Sequence, residues 1–580
     1  MFSVMKKLSW YFKEQWVRYT LAIVAIIVSS ILFALPPMIV GDVIDGIQSN
    51  QLTSEKLMHA IWLFIGLLVI IYLLSIYWGH TLFGRAILLE RKMRSRLMNH
   101  FMKMTPTFYG RYRTGDLMAR STNDLRAVAA TAGFGILTLI DSTVFMAFII
   151  GIMFIIIDWK LTLATLLPLP IMAYIMQKYG AKIHERFMEA QALFSDLNNN
   201  TLESIQGVRV IRAFVQEKQD EQRFNDKAEE VFQKNIAVAR LDALFEPTIK
   251  ILVGVSYTIG LGYGSYLIIN GDITMGQLVS FNIYLGMLIW PMFAVGELIN
   301  VMQRGNASLD RIQNVLRQKA DVKDPEYPAE VVKPETISFR NLTFEYPTAD
   351  KPSLRNINLE IKSGETIGVV GLTGAGKTTL VKQLLKEYPA ADQGELVISG
   401  AAIQDIPLRK TRNWIGYVPQ DHILFSKTVK ENILFGNPNA TDEEVYQILE
   451  RTALRNDIEN LPAGLETMVG ESGVTLSGGQ KQRVSLARAL IRDPEILILD
   501  DSLSAVDGKT EANIIDHLKQ ERAGKTTIIV AHRLSAVTHA DQIIVLEDGE
   551  IQEHGTHQML MQERGWYYHQ FLIQQMEEGE

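Results

Sequence analysis

The chain has 580 residues, too many for one hydrophobic core, so two or more domains are expected. A net charge of −7 without any Lys/Arg block argues against a nucleic-acid partner. The absence of cysteine excludes disulfides and thiolate-bound metal.

The 48% hydrophobic content averages two unlike parts: repeated apolar runs over residues 1–305 and a mixed sequence from 335 onward. The first 16 residues, MFSVMKKLSWYFKEQW, are charged and aromatic. The apolar stretch that follows, to Val40, exceeds a signal-peptide core and lacks an A-x-A site before Pro36-Pro37, so it reads as a retained span. Stretches of spanning length fall near 17–40, 58–82, 136–157, 161–179, 248–270 and 277–300. Between 83 and 135, Lys and Arg outnumber Asp and Glu ten to three, whereas 40–57 holds one Lys and 271–276 none. The positive-inside rule then places both termini and the long segments 83–135 and 180–247 in the cytoplasm.

Those segments are helix-prone and predict helices continuing well past the bilayer. A turn near Gly207 would put Arg212, Phe214 and Glu217 at one tip; Phe108-Tyr109-Gly110 and Thr114-Gly115-Asp116 mark a similar tip in the first segment. Ionisable residues inside spans are costly and often functional, which singles out Asp141 and Glu297 as candidate substrate-cavity residues. Either could equally make a structural hydrogen bond. Met287, Trp290, Met292 and Phe293 suit an adaptable apolar pocket, although Met at this spacing is more often ordinary packing. Charged residues among three prolines, in KADVKDPEYPAEVVKPET, mark a linker over 321–335; a transmembrane domain over 1–320 and a second domain over 336–580 flank it.

The second domain reads as an α/β fold with phosphate chemistry. Thr366–Val370 is a β-branched strand running into GLTGAGKTT (371–379) and then a helical stretch, LVKQLLKEY, the context that a Walker A loop needs. Gly371, Gly374 and Gly376 let backbone amides curl around phosphates at a helix N-terminus; Thr373, Ala375 and Thr379 belong to the same cradle. Lys377 would reach the β and γ oxygens of ATP, and the Thr378 hydroxyl would ligate Mg²⁺. The strand EILILD ends at Asp500, a Walker B acid for the same Mg²⁺, and Tyr346 in LTFEYP could stack on adenine. LSGGQ, with Ser477, Gly478, Gly479 and Gln480 opening a helix, is a second anion site. One P-loop already holds its own phosphates, so this second cradle makes sense facing nucleotide on another chain.

Residues 336–573 therefore resemble an ATP-binding cassette (ABC) nucleotide-binding domain, and the six spans with long cytoplasmic segments resemble the exporter type. The resemblance adds the Q-loop Gln420, the D-loop SAVD ending at Asp507 and the switch His532. It implies that Gln420 touches Mg²⁺, that His532 contacts the γ-phosphate, and that Phe214 docks on a partner's cassette. It also implies that Glu471, in VGESG, belongs to the loop meeting such tips. In the family a Glu follows the Walker B Asp and handles the attacking water; here that residue is Asp501. The lost methylene draws the carboxylate back by roughly 1 Å, a misplacement that can cost about 10²-fold in rate.

An intact signature beside a shortened acid resembles one half of a bacterial heterodimeric multidrug exporter in the plasma membrane, although a homodimer is possible. Its expected cargo is amphipathic small molecules. A lipid flippase, a peptide exporter, or a non-pumping ATP-gated sensor or conduit are the alternatives.

Overall fold

The computed structural model describes residues 3–347, 349–391, 393–470 and 476–578, the side chains of Ala173, Glu577 and Glu578 excepted. It divides into two compact units: Met1–Asn99 with Gly115–Arg317, and His100–Thr114 with Gln318–Glu580.

Among the described residues, six helical runs, which make up most of the first unit, are long and apolar enough to cross a membrane: Trp16–Gln48, Ser54–Phe101, Thr114–Ile157, Trp159–Gln206, Glu217–Asn270 and Met275–Leu316. Each expected span lies inside one of them. The 48-residue run Ser54–Phe101 would be about 70 Å long at 1.5 Å per residue, more than twice the hydrocarbon thickness. Its Trp62, Tyr72, Leu73 and Ile87 are exposed, a face suited to hydrocarbon. The turn expected near Gly207 is present: Pro168–Gln206 ends there, Val208–Ala213 forms a short helix, and Glu217–Asp242 returns. Phe214 and Val215 at this tip are exposed, and Val215 holds φ at +56°, a strained conformation for a β-branched residue.

Small residues bring two of these helices together. Ser280 donates to the Pro37 carbonyl (2.7 Å) and Tyr284 to the Ala34 carbonyl (2.6 Å). A Cβ on Gly276 would sit 2.0 Å from the Gly41 carbonyl oxygen, so this crossing requires glycine. Asp45 pins the same junction, accepting from the Gly276 amide (2.7 Å) and the Thr274 hydroxyl (2.5 Å). Gly276→Ala must push two backbones apart. Its expected cost is about 1–3 kcal/mol, read as a lower melting temperature of the detergent-solubilised protein.

The second unit is built on a six-stranded sheet in the order Glu550–Gly555, Gln542–Glu547, Thr366–Gly371, Thr526–Val530, Ile496–Asp500, Ile415–Val418. It is parallel except for the Glu550–Gly555 edge. Ile496–Asp500 and Thr526–Val530 are buried at every position, as expected where both faces of a parallel sheet are covered. A four-stranded antiparallel sheet, in the order Leu354–Lys362, Thr336–Phe344, Gln393–Ile398, Ala401–Ala402, packs its apolar side into the same core. The helix after the P-loop, Lys377–Leu384, is shorter than the apolar run promised: Lys386 takes φ +49°, a left-handed conformation that cannot continue a right-handed helix. The segment His100–Thr114 belongs to this unit. Its Phe108, read from sequence as a tip residue, is buried, with the rings of His100, Phe101 and Tyr112 around it.

Candidate nucleotide site

Parallel strands open a crevice at their C-terminal ends, and there the chain gathers its phosphate-handling residues. A cleft of about 710 Å³ is lined by Tyr346, Thr373–Thr379, Gln420, Asp500, Asp501 and His532. Its size falls within the range of small-molecule sites. Thr526–Val530 lies between the P-loop strand and the Walker B strand, which places His532, just past its end, beside both. Gly371 takes φ +140°, and a Cβ there would meet the Leu546 carbonyl oxygen at 2.1 Å, so the loop's first glycine is dictated by its neighbour strand.

Lys377 is buried and donates to the carbonyls of Gly371 (2.7 Å) and Leu372 (2.9 Å), closing the loop around its own ammonium; burial lowers its pKa, with Asp501 and Asp500 opposing. Asp500 is 1% exposed, and both of its oxygens are engaged. The Thr378 hydroxyl donates to one (2.9 Å) and the Tyr417 hydroxyl to the other (3.1 Å). Burial pushes the Asp500 pKa up, while those two hydrogen bonds pull it back. An all-oxygen set of a hydroxyl and a buried carboxylate fits a hard divalent cation, so Thr378 and Asp500, with Gln420 on the same cleft, would hold Mg²⁺. Bound there, Mg²⁺ would neutralise charge building on the phosphates. Tyr346 donates to or accepts from Thr379 across 2.9 Å and packs edge-on against Tyr388, leaving its ring on the cleft wall.

Asp501 lies on the same wall with φ +49°, its amide donating to the Val530 carbonyl (2.9 Å). Left-handed backbone is tolerated by Asp better than by most non-glycine residues. Ser477, Gly478, Gly479 and Gln480 do not appear among the described residues lining this cleft. They open the helix Gly478–Leu490, where Ser477 and Gln480 form a reciprocal cap. At the fifth position of that helix, Gln482 accepts from the Ala505 amide (3.0 Å) and donates to the Ser504 hydroxyl (3.3 Å), tying the signature to the D-loop. Asp507 caps the next helix through the Thr510 amide (3.0 Å). Glu471 lies outside the described residues.

In the membrane unit, Asp141 stands on a π-helical turn, Asp141–Phe145, and accepts from the Trp290 indole (3.0 Å). Glu297 pairs with Arg304 (3.3 Å). Neither residue lines the nucleotide cleft.

Some of the cleft escaped sequence reasoning. Lys351, Arg355, Asp548 and Gly549 line it as well. Asp-Gly between alternating strands does signal a hairpin, and Asp548 and Gly549 take φ +46° and +83° in that turn. Nothing local says that the turn abuts the P-loop, where the Gly549 amide donates to the Ala375 carbonyl (3.2 Å). Gln574 was also missed. From the C-terminal helix Trp566–Glu578 it donates to the His532 carbonyl and accepts from the Leu534 amide, both at 2.8 Å, bracketing the switch loop. In Gln574→Ala the Leu534 amide should exchange with solvent deuterium at least about 10-fold faster, the equivalent of losing roughly 1.4 kcal/mol of protection, as read by hydrogen-exchange mass spectrometry.

Residues 19–292 match the ABC transporter transmembrane region and residues 354–504 the ABC transporter family. The chain belongs to the ABC transporter family, in which ATP hydrolysis is coupled to transport. It is 55% identical, over its full length and 99% of the relative, to the probable multidrug resistance ABC transporter ATP-binding/permease protein YheI of Bacillus subtilis. It is 41% identical, over 98% of the chain and 96% of the relative, to the multidrug resistance-like ATP-binding protein MdlA of Escherichia coli. An ATP-dependent lipid A-core flippase of Syntrophus aciditrophicus is 32% identical over 97% of the chain and 93% of its own length. The fold is that of a bacterial Atm1-family ABC exporter solved with ATP bound, at a TM-score of 0.76 and 24% identity, covering 97% of this chain and 98% of that one.

Proposed function

We propose that the chain is one half of an ATP-driven exporter of amphipathic compounds and works beside a second, different half-transporter. The observation that carries this reading is the separation of two phosphate cradles in one cassette. The P-loop cleft contains Asp501 where a longer acid is expected, while the sound signature, Ser477–Gln480, stands away from that cleft. In a face-to-face pair the signature would cap the partner's ATP. The chain's own pocket would turn over slowly and hold the cassettes together, while the partner's pocket hydrolyses. On this reading the chain corresponds to the BmrC half of the heterodimeric BmrC–BmrD exporter.

Closure of the cassettes would move the helical tips, with Phe214 and its exposed neighbours as the docking element and Glu471 in the loop that receives it, turning the cavity outward. Asp141 and Glu297 are the acids in the expected spans that a cationic cargo would engage, in place of Trp290 and Arg304. The Lys/Arg asymmetry of the loops supports cassette and termini on the cytoplasmic side, and the bacterial relatives support the plasma membrane. The relatives named for multidrug resistance favour drug-like cargo, and the flippase relative supports a lipid as the second reading.

Native mass spectrometry of the tagged chain purified from its own cells tests the pairing: a second subunit of similar but different mass is expected, and a homodimer with brisk turnover contradicts it. ATPase stimulated by amphipathic drugs in that complex separates a pump from a nucleotide-gated conduit, which would show no stimulated turnover.

A further inference from the structure

The motifs account for Thr378 and Asp500 but not for Tyr417. This residue lies on Ile415–Val418, the edge strand next to the Walker B strand, in parallel register with Tyr417 opposite Ile498. Side chains two apart along a strand share a face, so Tyr417, Ile498 and Asp500 point the same way, and the phenol is long enough to run along the sheet to the strand's end. Its hydroxyl reaches the Asp500 oxygen that Thr378 does not engage (3.1 Å). Asp500 is 1% exposed, so without this donor a carboxylate oxygen would be buried with one partner fewer.

We propose that Tyr417 is a positioning residue for the divalent cation: acting through Asp500, it fixes the carboxylate so that the Thr378–Asp500 pair meets Mg²⁺ already oriented. The proposal rests on the nucleotide reading of the cleft and is independent of whether the partner differs from this chain. Partners that orient a metal site from outside typically contribute about 10–100-fold in metal affinity, and Tyr417 engages only one of the two Asp500 oxygens, so the lower end applies.

Tyr417→Phe keeps the ring and removes only the donor. Binding of the fluorescent nucleotide TNP-ATP to the full-length purified chain is measured in EDTA and then at stepped Mg²⁺. The Mg²⁺ concentration giving half of the metal-dependent gain in nucleotide retention should rise about 10-fold, with affinity in EDTA unchanged. Identical Mg²⁺ dependence in variant and parent overturns the proposal, as does equal weakening with and without the metal, which would mark Tyr417 as packing alone. Absence of TNP-ATP binding to the unaltered chain would instead fail the nucleotide reading itself. A double-mutant cycle supplies an independent arm: with Asp500→Asn already present, adding Tyr417→Phe should leave Mg²⁺ dependence where Asp500→Asn put it. A full additive shift would contradict action through Asp500.

Discussion

Replacing Gly478 by Asp should lower the ATPase rate of the purified transporter by about 10²–10³-fold, the range seen when one preorganised donor to a developing charge is lost. Gly478 is the first residue of the signature helix, and a Cβ there would meet only the Ala505 Cβ at 3.6 Å, an ordinary contact. An acid in the first turn also suits the helix dipole, so the cassette should fold and melt as before. What changes is the sign of charge at a surface where exposed amides await a phosphate. Gly479 would be a poorer choice, because its Cβ would press to 2.8 Å on the Ala505 carbonyl and disturb the D-loop. TNP-ATP binding at the chain's own P-loop should survive Gly478→Asp. Retention of full ATPase would mean that the signature does not serve the hydrolysing site.

Asp501→Glu should act in the opposite direction. Restoring one methylene advances the carboxylate by roughly 1 Å and is expected to speed single-turnover hydrolysis in this chain's pocket by about 10²-fold, or about 2.7 kcal/mol of barrier. The backbone sets a cost in stability beside that gain. Asp501 holds φ +49°, a region costing most L residues about 1–2 kcal/mol, and Glu lacks the short polar side chain that eases it. That cost falls on the fold, so the variant should melt somewhat earlier while hydrolysing faster. Single-turnover measurements with radiolabelled ATP, on a complex whose partner P-loop lysine is replaced, isolate the pocket. An unchanged rate would show that side-chain reach is not what limits it.

The parts of this site that were legible in the sequence are those where a single segment carries the whole function. A P-loop is written in nine consecutive residues because its own amides make the cradle, and Asp500 announces itself at the end of a run of buried β-branched and leucine side chains. Membrane spans were legible for the same reason: apolar length is a local property. Contacts made by tertiary pairing were not legible. Tyr417 reaches Asp500 across 83 positions and Gln574 reaches His532 across 42, and neither residue type nor spacing hints at it. Phe108 misled for a related reason: an aromatic beside glycine in a polar segment reads as an exposed tip, whereas its ring is buried among His100, Phe101 and Tyr112. The left-handed backbone at Asp501 was equally invisible, since it follows from the turn the strand end must make to donate to Val530.

The two bound nucleotides should have unequal lifetimes. The native complex can be loaded with radiolabelled 8-azido-ATP and Mg²⁺, chased with unlabelled ATP, then photo-crosslinked and separated by subunit at intervals. Label on this chain, held by the pocket around Lys377 and Asp500, should outlast label on the partner by at least about 10-fold, given the loss expected from a shortened acid. Equal decay on the two subunits would contradict it.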